Sequence, residues 1–323
     1  MYDIISIGDS TLDAFFDIDE AQVLCDLNKE DCIICFNYAD KIAVKNFTRV
    51  PAAGNAANNA VGSARLGMKA AIFTILGKDE IGRDIASTFA SEGVADKYIV
   101  WDEAHGSNVS VVLNYMGERT IFVYHQPRNY QWPVEFGPTQ WIYYTSMGKE
   151  HYTLHEPLLN YSGANPTNLA FNPGTWQLKE GLETLKPIME LSKLFIVNKE
   201  EAKSLVGEIE DMKELLKKVK EFCGGHVIIT DGRKGSYSFD GEKFLFAPEF
   251  PGERIEATGA GDSYATACVA ALFYGKNLGE AMAWGAVNAA FVVQKIGPQA
   301  GLLRKSEMEK TLAENPSFKA KEI

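Results

Sequence analysis

Four short apolar runs set the strongest limit on what this chain can fold into: WIYYTS from Trp141, NLAFNP from Asn168, LFIVN from Leu194 and HVIIT from His226. Apolar residues that follow one another without polar alternation suit strands covered on both faces, as in a parallel sheet. Helical patterns separate them. Glu180 to Leu191 is one, and Asp211 to Phe222, with Met212, Leu215, Leu216 and Val219 on one stripe, is another. The runs end in Asn172-Pro173-Gly174, Asn198 and Thr230-Asp231-Gly232. Ligands of doubly wound sheets sit at such carboxyl ends. Earlier, a strand over Asp3 to Ile7, a small-residue helix over Gly54 to Leu66 and a strand over Ala70 to Leu76 make a βαβ unit that carries an insertion.

That insertion, about residues 14–50, mixes acidic patches with the strand-like runs CIICF and KIAVKNF. A second strand-rich piece over 107–124 has two β-rich runs around Met116-Gly117-Glu118, the pattern of a hairpin. Together they predict a small β lid on one α/β domain spanning residues 1–323. The polar, charged tail from Lys305 predicts a fraying terminal helix.

The 43 acidic against 32 basic residues, a net charge of −11, disfavour a nucleic-acid or anionic-membrane surface, because such partners are held by Lys and Arg. No stretch reaches the roughly 18 apolar residues of a membrane helix, and no basic segment precedes the first apolar run, so a cytoplasmic location is expected. Five cysteines, an odd number, fit a reducing compartment better than a disulfide framework. Cys32-Ile33-Ile34-Cys35 reads as strand, with positions i and i+3 on opposite faces, which argues against zinc and for small apolar strand residues.

The segment with the clearest chemistry is Thr258-Gly259-Ala260-Gly261-Asp262, which runs into an apolar helix over Tyr264 to Tyr274. A small-residue turn at a helix N-terminus offers free amides and the positive dipole end to an anion such as phosphate. Taken alone, Asp262 reads first as an ordinary first-turn acid.

With its context the segment resembles the second signature of the PfkB family of ribokinase-like sugar and nucleoside kinases, D-T-x-G-A-G-D, with Glu256 and Ala257 in place of the first two residues. The resemblance covers nearly the whole chain. It implies a ribokinase-like three-layer αβα sandwich with a mostly parallel sheet, and ATP with Mg²⁺ as cofactors. It implies Asp262 as the catalytic base and Gly259, Ala260 and Gly261 as the anion cradle, roles that phosphoryl transfer requires. Gly8 to Asp13 resembles the first-strand turn whose Asp13 binds substrate hydroxyls. Ala53-Gly54-Asn55-Ala56-Ala57-Asn58 resembles G-G-x-x-x-N, which implies Gly54, Asn55 and Asn58 as substrate-binding. Asp79, in a G-x-D-x-x-G turn, reads as a helix N-cap.

Asn198-Lys199-Glu200-Glu201 resembles N-x-x-E. It implies nucleotide binding by Asn198 and Mg²⁺ held through water by Glu201, with a helix cap as the equally weighted alternative. Thr230, Gly232 and Gly235 resemble the turn under the nucleotide phosphates, and Asn288 the helix that passes the adenine; alone, these read as a β-turn and a packed polar group. Glu256 and the loop Lys295 to Gly301 resemble the surroundings of a K⁺ site.

Arg128 and Asn129 fall where family members contact substrate, and Arg128 could also meet a phosphorylated sugar in a bidentate contact. Ribose or a similar sugar is the expected substrate, phosphorylated on a primary hydroxyl, with a nucleoside the alternative. A binding protein that has lost turnover is the competing reading, motivated by Ala53, Glu256 and Ala257. Exposed lid edges imply a homodimer. No P-loop and no G-x-G-x-x-G after the first strand support other nucleotide folds.

Overall fold

The computed structural model describes residues 1–25, 32–116 and 118–323. In chain order the elements are β1 (Tyr2–Ile7), β2 (Thr11–Ile18), β3 (Gln22–Cys25), β4 (Cys32–Cys35), β5 (Val44–Ala53), α1 (Asn55–Arg65), β6 (Ala70–Gly77), α2 (Glu80–Ser91), β7 (Ala95–Asp102), β8 (Asn108–Tyr115), β9 (Glu118–Tyr124) and β10 (Thr139–Tyr144). There follow α3 (His155–Ala164), β11 (Asn168–Phe171), α4 (Thr175–Glu180), α5 (Leu182–Leu191), β12 (Leu194–Asn198), α6 (Lys199–Val206), α7 (Met212–Lys220), β13 (His226–Thr230), β14 (Ser236–Phe239), β15 (Phe244–Ala247), α8 (Ala260–Phe273), α9 (Leu278–Val292), α10 (Lys305–Glu314) and β16 (Lys321–Glu322).

Ten strands form the main sheet in the order β16-β15-β14-β13-β12-β11-β10-β1-β6-β7. It is parallel from β7 to β13 and antiparallel beyond, where β14, β15 and β16 follow β13. The apolar runs become central strands because consecutive residues feed opposite layers. Ile4, Tyr143 and Ile228 enter the core under α1, α8 and α9, while Ile5, Tyr144 and Ile229 enter the core under α3, α5 and α7. All six are fully buried, and each such side chain is worth about 1.5–3 kcal/mol in transfer out of water. The result is the three-layer αβα sandwich.

A second sheet, ordered β5-β2-β8-β9, projects from the domain. Its strands begin at Thr11 and end at Ala53 in the first piece, so the insertion runs wider than residues 14–50. β8 and β9 pair as a hairpin from Val109 with Tyr124 to Tyr115 with Glu118; Gly117 of the expected turn lies outside the described residues. The two pieces are buckled to the domain at one corner. The Asp79 carboxylate takes Gly82 N at 2.7 Å as the N-cap of α2, and also Ser107 N and Oγ at 2.7 Å, just before β8.

Three expectations are corrected. Cys25 and Cys32, paired across the hairpin β3–β4, are joined by a disulfide, so these cysteines are not reduced strand residues; Cys35, Cys223 and Cys268 are free. The tail does not end in a fraying helix, since β16 adds to the sheet edge on β15. The pattern over 180–191 is broken at Gly181, whose φ of 82° ends α4 and begins α5. Among the described residues no helix is long and apolar enough to cross a membrane.

Candidate active site

The carboxyl ends of the strands and the underside of the small sheet enclose two cavities, which share the turn before α8. The larger, about 650 Å³, is lined by Asp13, Gly54, Asn55, Asn58, Gly259 and Asp262, with Asp9, Ser10, Ser110, His125, Trp176 and Lys179. The smaller, about 380 Å³, is lined by Asn198, Thr230, Gly232, Gly235, Ala260 and Gly261, with Arg119, Ser236, Tyr264, Ala286 and Ala290. Twelve residues picked from the sequence thus fall into two adjoining groups, six to each cavity.

The turn owes its shape to Gly259, which sits in the left-handed region at φ 79° and caps α8. Ala260 N bonds Ala257 O at 3.3 Å, so the first-turn amides left for a ligand are those of Gly261 and Asp262. Glu256 holds the turn from behind. Its carboxylate accepts from Thr258 N at 2.6 Å, from the Thr258 hydroxyl and from Gly297 N at 3.3 Å.

Asp262 is fixed by α1. Asn58 Nδ2 donates to Asp262 Oδ2 at 2.7 Å, and Asn58 Oδ1 in turn accepts from Gln299 Nε2 at 3.0 Å. The small residues Ala56, Ala57 and Ala60 let α1 approach this closely, and Gly54 at φ 94° starts the helix within the cavity wall. Burial pushes the Asp262 carboxyl above its ordinary range, and the Asn58 bond opposes that push. Asp13 is also raised, to about 7, chiefly by burial, which a hydrogen bond with the Ser110 side chain opposes and the charges of Asp262 and Glu256 reinforce. Its Oδ1 is buried with no partner in the chain. An acceptor so placed calls for a donor from a ligand.

Besides Glu256, four expected residues lie outside both cavities. Arg128 is buried, donating to Asp102 Oδ2 at 2.9 Å and Gly106 O at 2.6 Å, so it clasps the base of the hairpin away from both cavity linings, with its Nε left without a partner. Asn129 beside it is exposed and takes no part in the cavity lining. Asn288 is fully buried with its amide committed to Ser263 O and Leu303 N, while its neighbours Ala286 and Ala290 reach the cavity instead. Glu201 caps α6 through Asn198 N at 2.8 Å, and its carboxyl is raised by burial and by the charge of Asp262.

Sequence reasoning missed Asp9, Trp176, Lys179 and Arg119, while His125, in the stretch after the hairpin expected to contact substrate, does line the larger cavity. Asp9 lies within the turn Gly8 to Asp13, where its carboxylate receives the Tyr130 hydroxyl at 2.8 Å. Arg119 follows the hairpin turn and lies 3.9 Å from Glu256. Trp176 and Lys179 lie two and five residues after Asn172-Pro173-Gly174, so that strand-end signal was the pointer to them.

A mostly parallel sheet with helices on both faces, a small projecting sheet and two cavities divided by a glycine turn at a helix N-terminus define a ribokinase-like fold. The structure superposes on ribokinase from Arabidopsis thaliana, solved with ribose and ATP, with a TM-score of 0.77 at 19% identity, covering 96% of this chain and 98% of that one. It superposes on the Methanocaldococcus jannaschii nucleoside kinase with a TM-score of 0.75 at 21% identity, covering 97% and 98%. Ribokinase from Bacillus subtilis is 26% identical over 274 residues, 83% of this chain and 89% of that protein. Residues 18–305 match the pfkB family carbohydrate kinases, and the chain belongs to that family. It is a sugar or nucleoside kinase.

Proposed function

We propose that this kinase transfers the γ-phosphoryl group of ATP to a hydroxyl, in the first instance a primary one, of a small sugar in the larger cavity. The observation that carries the reading is the position of Asp262, which lines the larger cavity while Ala260 and Gly261 of the same turn line the smaller one. Asp13 accepts from substrate hydroxyls through its unpartnered Oδ1, and Asp262 takes the proton of the attacking hydroxyl. The amides of Gly261 and Asp262 stabilise charge on the group in flight. The ribose held by the Arabidopsis ribokinase favours a pentose, and the nucleoside kinase neighbour keeps a nucleoside as the second reading.

Glu201 would hold Mg²⁺ through water, and its raised carboxyl near the like charge of Asp262 fits a position that a cation would relieve. Bound Mg²⁺ would supply charge neutralisation of the phosphates. Glu256 does not fit a K⁺ site, because three donors already surround its oxygens, and no step is assigned to K⁺. The consecutive exposed side chains Ile121, Phe122, Val123 and Tyr124 on edge strand β9 support a homodimer through the lid. A monomer mass by sedimentation at micromolar concentration would remove that assignment. The reading requires a supply of ATP, hence a cytoplasmic setting.

The test is ADP release from Mg²⁺-ATP with ribose and with nucleosides, abolished by chelation. Asp13 accepts most strongly as the carboxylate, and its pKa is raised to about 7. Protonation below that value weakens the acceptor and turns one oxygen into a donor, and the raised Asp262, which must be ionised to take a proton, acts in the same direction. So kcat/KM is expected to rise between about pH 6 and about pH 8. A flat profile over that range sinks these roles for the two carboxylates.

A further inference from the structure

The larger cavity is lined by the carboxylates Asp9, Asp13 and Asp262, yet another part of its lining carries positive charge that the protein leaves unneutralised. Trp176 and Lys179 of α4 form that part. Lys179 Nζ stands 4.9 Å from the centre of the Trp176 ring, and Lys149 Nζ, from the turn before α3, stands 5.4 Å from the same centre. The acids next to these lysines face elsewhere. Glu150 Oε2 accepts from the Tyr152 hydroxyl at 2.5 Å, and Glu180 Oε1 lies 3.3 Å from His151 Nε2. Among the described residues neither lysine has an ion-pair partner.

Two ammonium groups over one indole repel each other, and the ring quadrupole offsets that repulsion only in part. An anion between them would be attracted by both. A neutral base stacking on Trp176 would instead have to displace cations from the ring. The one arginine expected to meet an anionic substrate, Arg128, bonds Asp102 and Gly106 O and does not line the cavity. The charge is therefore supplied by Lys179 in the lining and by Lys149, which is outside the lining but shares the Trp176 ring, while the unpartnered Asp13 Oδ1 marks the hydroxyl-binding part of the larger cavity.

We infer that the preferred substrate is a polyhydroxylated anion, a sugar acid or a sugar monophosphate, whose anionic group sits by Lys149, Lys179 and Trp176 while a hydroxyl reaches Asp262. This rests on the kinase reading above and replaces its neutral pentose with an anionic substrate. Lys179 and Lys149 are specificity-determining residues, and Asp262 keeps the chemistry.

The experiment measures ADP release by the full chain with three substrate classes: ribose and adenosine, aldonic and ketoaldonic acids, and hexose monophosphates. One anionic class is expected to exceed every neutral compound in kcat/KM by about tenfold or more, the worth of a charge-assisted hydrogen bond. Comparison of the acids with the monophosphates tells carboxylate from phosphate. Lys179→Ala and Lys149→Ala should each cut the anionic-to-neutral preference about tenfold through KM, and Lys179→Arg should restore it. A neutral sugar or nucleoside preferred by the wild type, or a preference unmoved by both alanine variants, overturns the inference. If that neutral turnover still depends on Asp262, the kinase reading stands without it. No ADP release with any class sinks both.

Discussion

Asp262→Asn is expected to lower turnover about a thousandfold and to leave nucleotide binding in place, because a positioned general base contributes about 10²–10⁴ in rate. The substitution keeps the size of the side chain, and Asn58 Nδ2 can still donate to the remaining amide oxygen as it does to Asp262 Oδ2. What is lost is an acceptor for the hydroxyl proton, worth about 4 kcal/mol of barrier at that rate factor. The amides of Gly261 and Asp262 belong to the backbone and stay where they are. Steady-state turnover and equilibrium ADP binding, measured on the same preparation, separate the two effects. Near-normal turnover would remove Asp262 from the chemistry. A parallel loss of ADP binding would show instead that the side chain holds the turn together.

Gly259→Ala should cost both stability and rate. At φ 79° an L side chain is held in the left-handed region, at about 1–2 kcal/mol. An added Cβ would also meet Pro298 Cα at 2.7 Å, a contact with backbone that cannot swing aside. Overpacking of this kind adds about 1–3 kcal/mol. A drop in Tm on the order of 5 °C follows for a chain of this size. Because a misplacement of about 1 Å can cost a hundredfold in rate, turnover should fall by about that factor as the turn shifts. Gly261→Ala is the comparison. A Cβ at Gly261 meets nothing within 4 Å, so its Tm should stay near the wild-type value even if a methyl in the smaller cavity weakens nucleotide binding. Equal Tm values for wild type and Gly259→Ala would show that the turn has no need of its positive φ.

The main sheet is legible in the sequence because its signal is local. Unbroken apolar runs such as LFIVN and HVIIT have one use, a strand covered on both faces, and the residues that end them lie at the ligand side by geometry. Helix starts are legible where a cap is written in neighbouring residues, as at Asp79 and at Asn198 with Glu201. Less legible are features that depend on which distant segments meet. The disulfide needs Cys25 and Cys32 to face each other across β3 and β4, which neither the count nor the spacing of cysteines reveals. Strand β16 needs the edge of β15, a neighbour many residues away.

The same division runs through the site. The resemblance to the family picks out Asp13, Asn58, the turn Gly259 to Asp262 and Asn198, Thr230, Gly232 and Gly235, which line the two cavities. Arg128, Asn129 and Asn288 were picked by position along the chain, and tertiary packing gave them other surroundings. A guanidinium or amide goes to whichever partner the folded backbone presents, and for Arg128 that partner is Asp102, not the cavity. Lys149 and Lys179 carry no motif at all. Their closeness to one indole, and the turning away of Glu150 and Glu180, exist only once the turn before α3 and helix α4 are packed side by side. Periodicity and turn chemistry act over a few residues, so a layered α/β fold with a small-residue turn at a helix N-terminus can be read from the sequence, while the kinase reading rests on the resemblance to the PfkB family. Charge complementarity in the substrate cavity arises only in the folded molecule, because Coulomb attraction depends on distances through space that chain order does not contain.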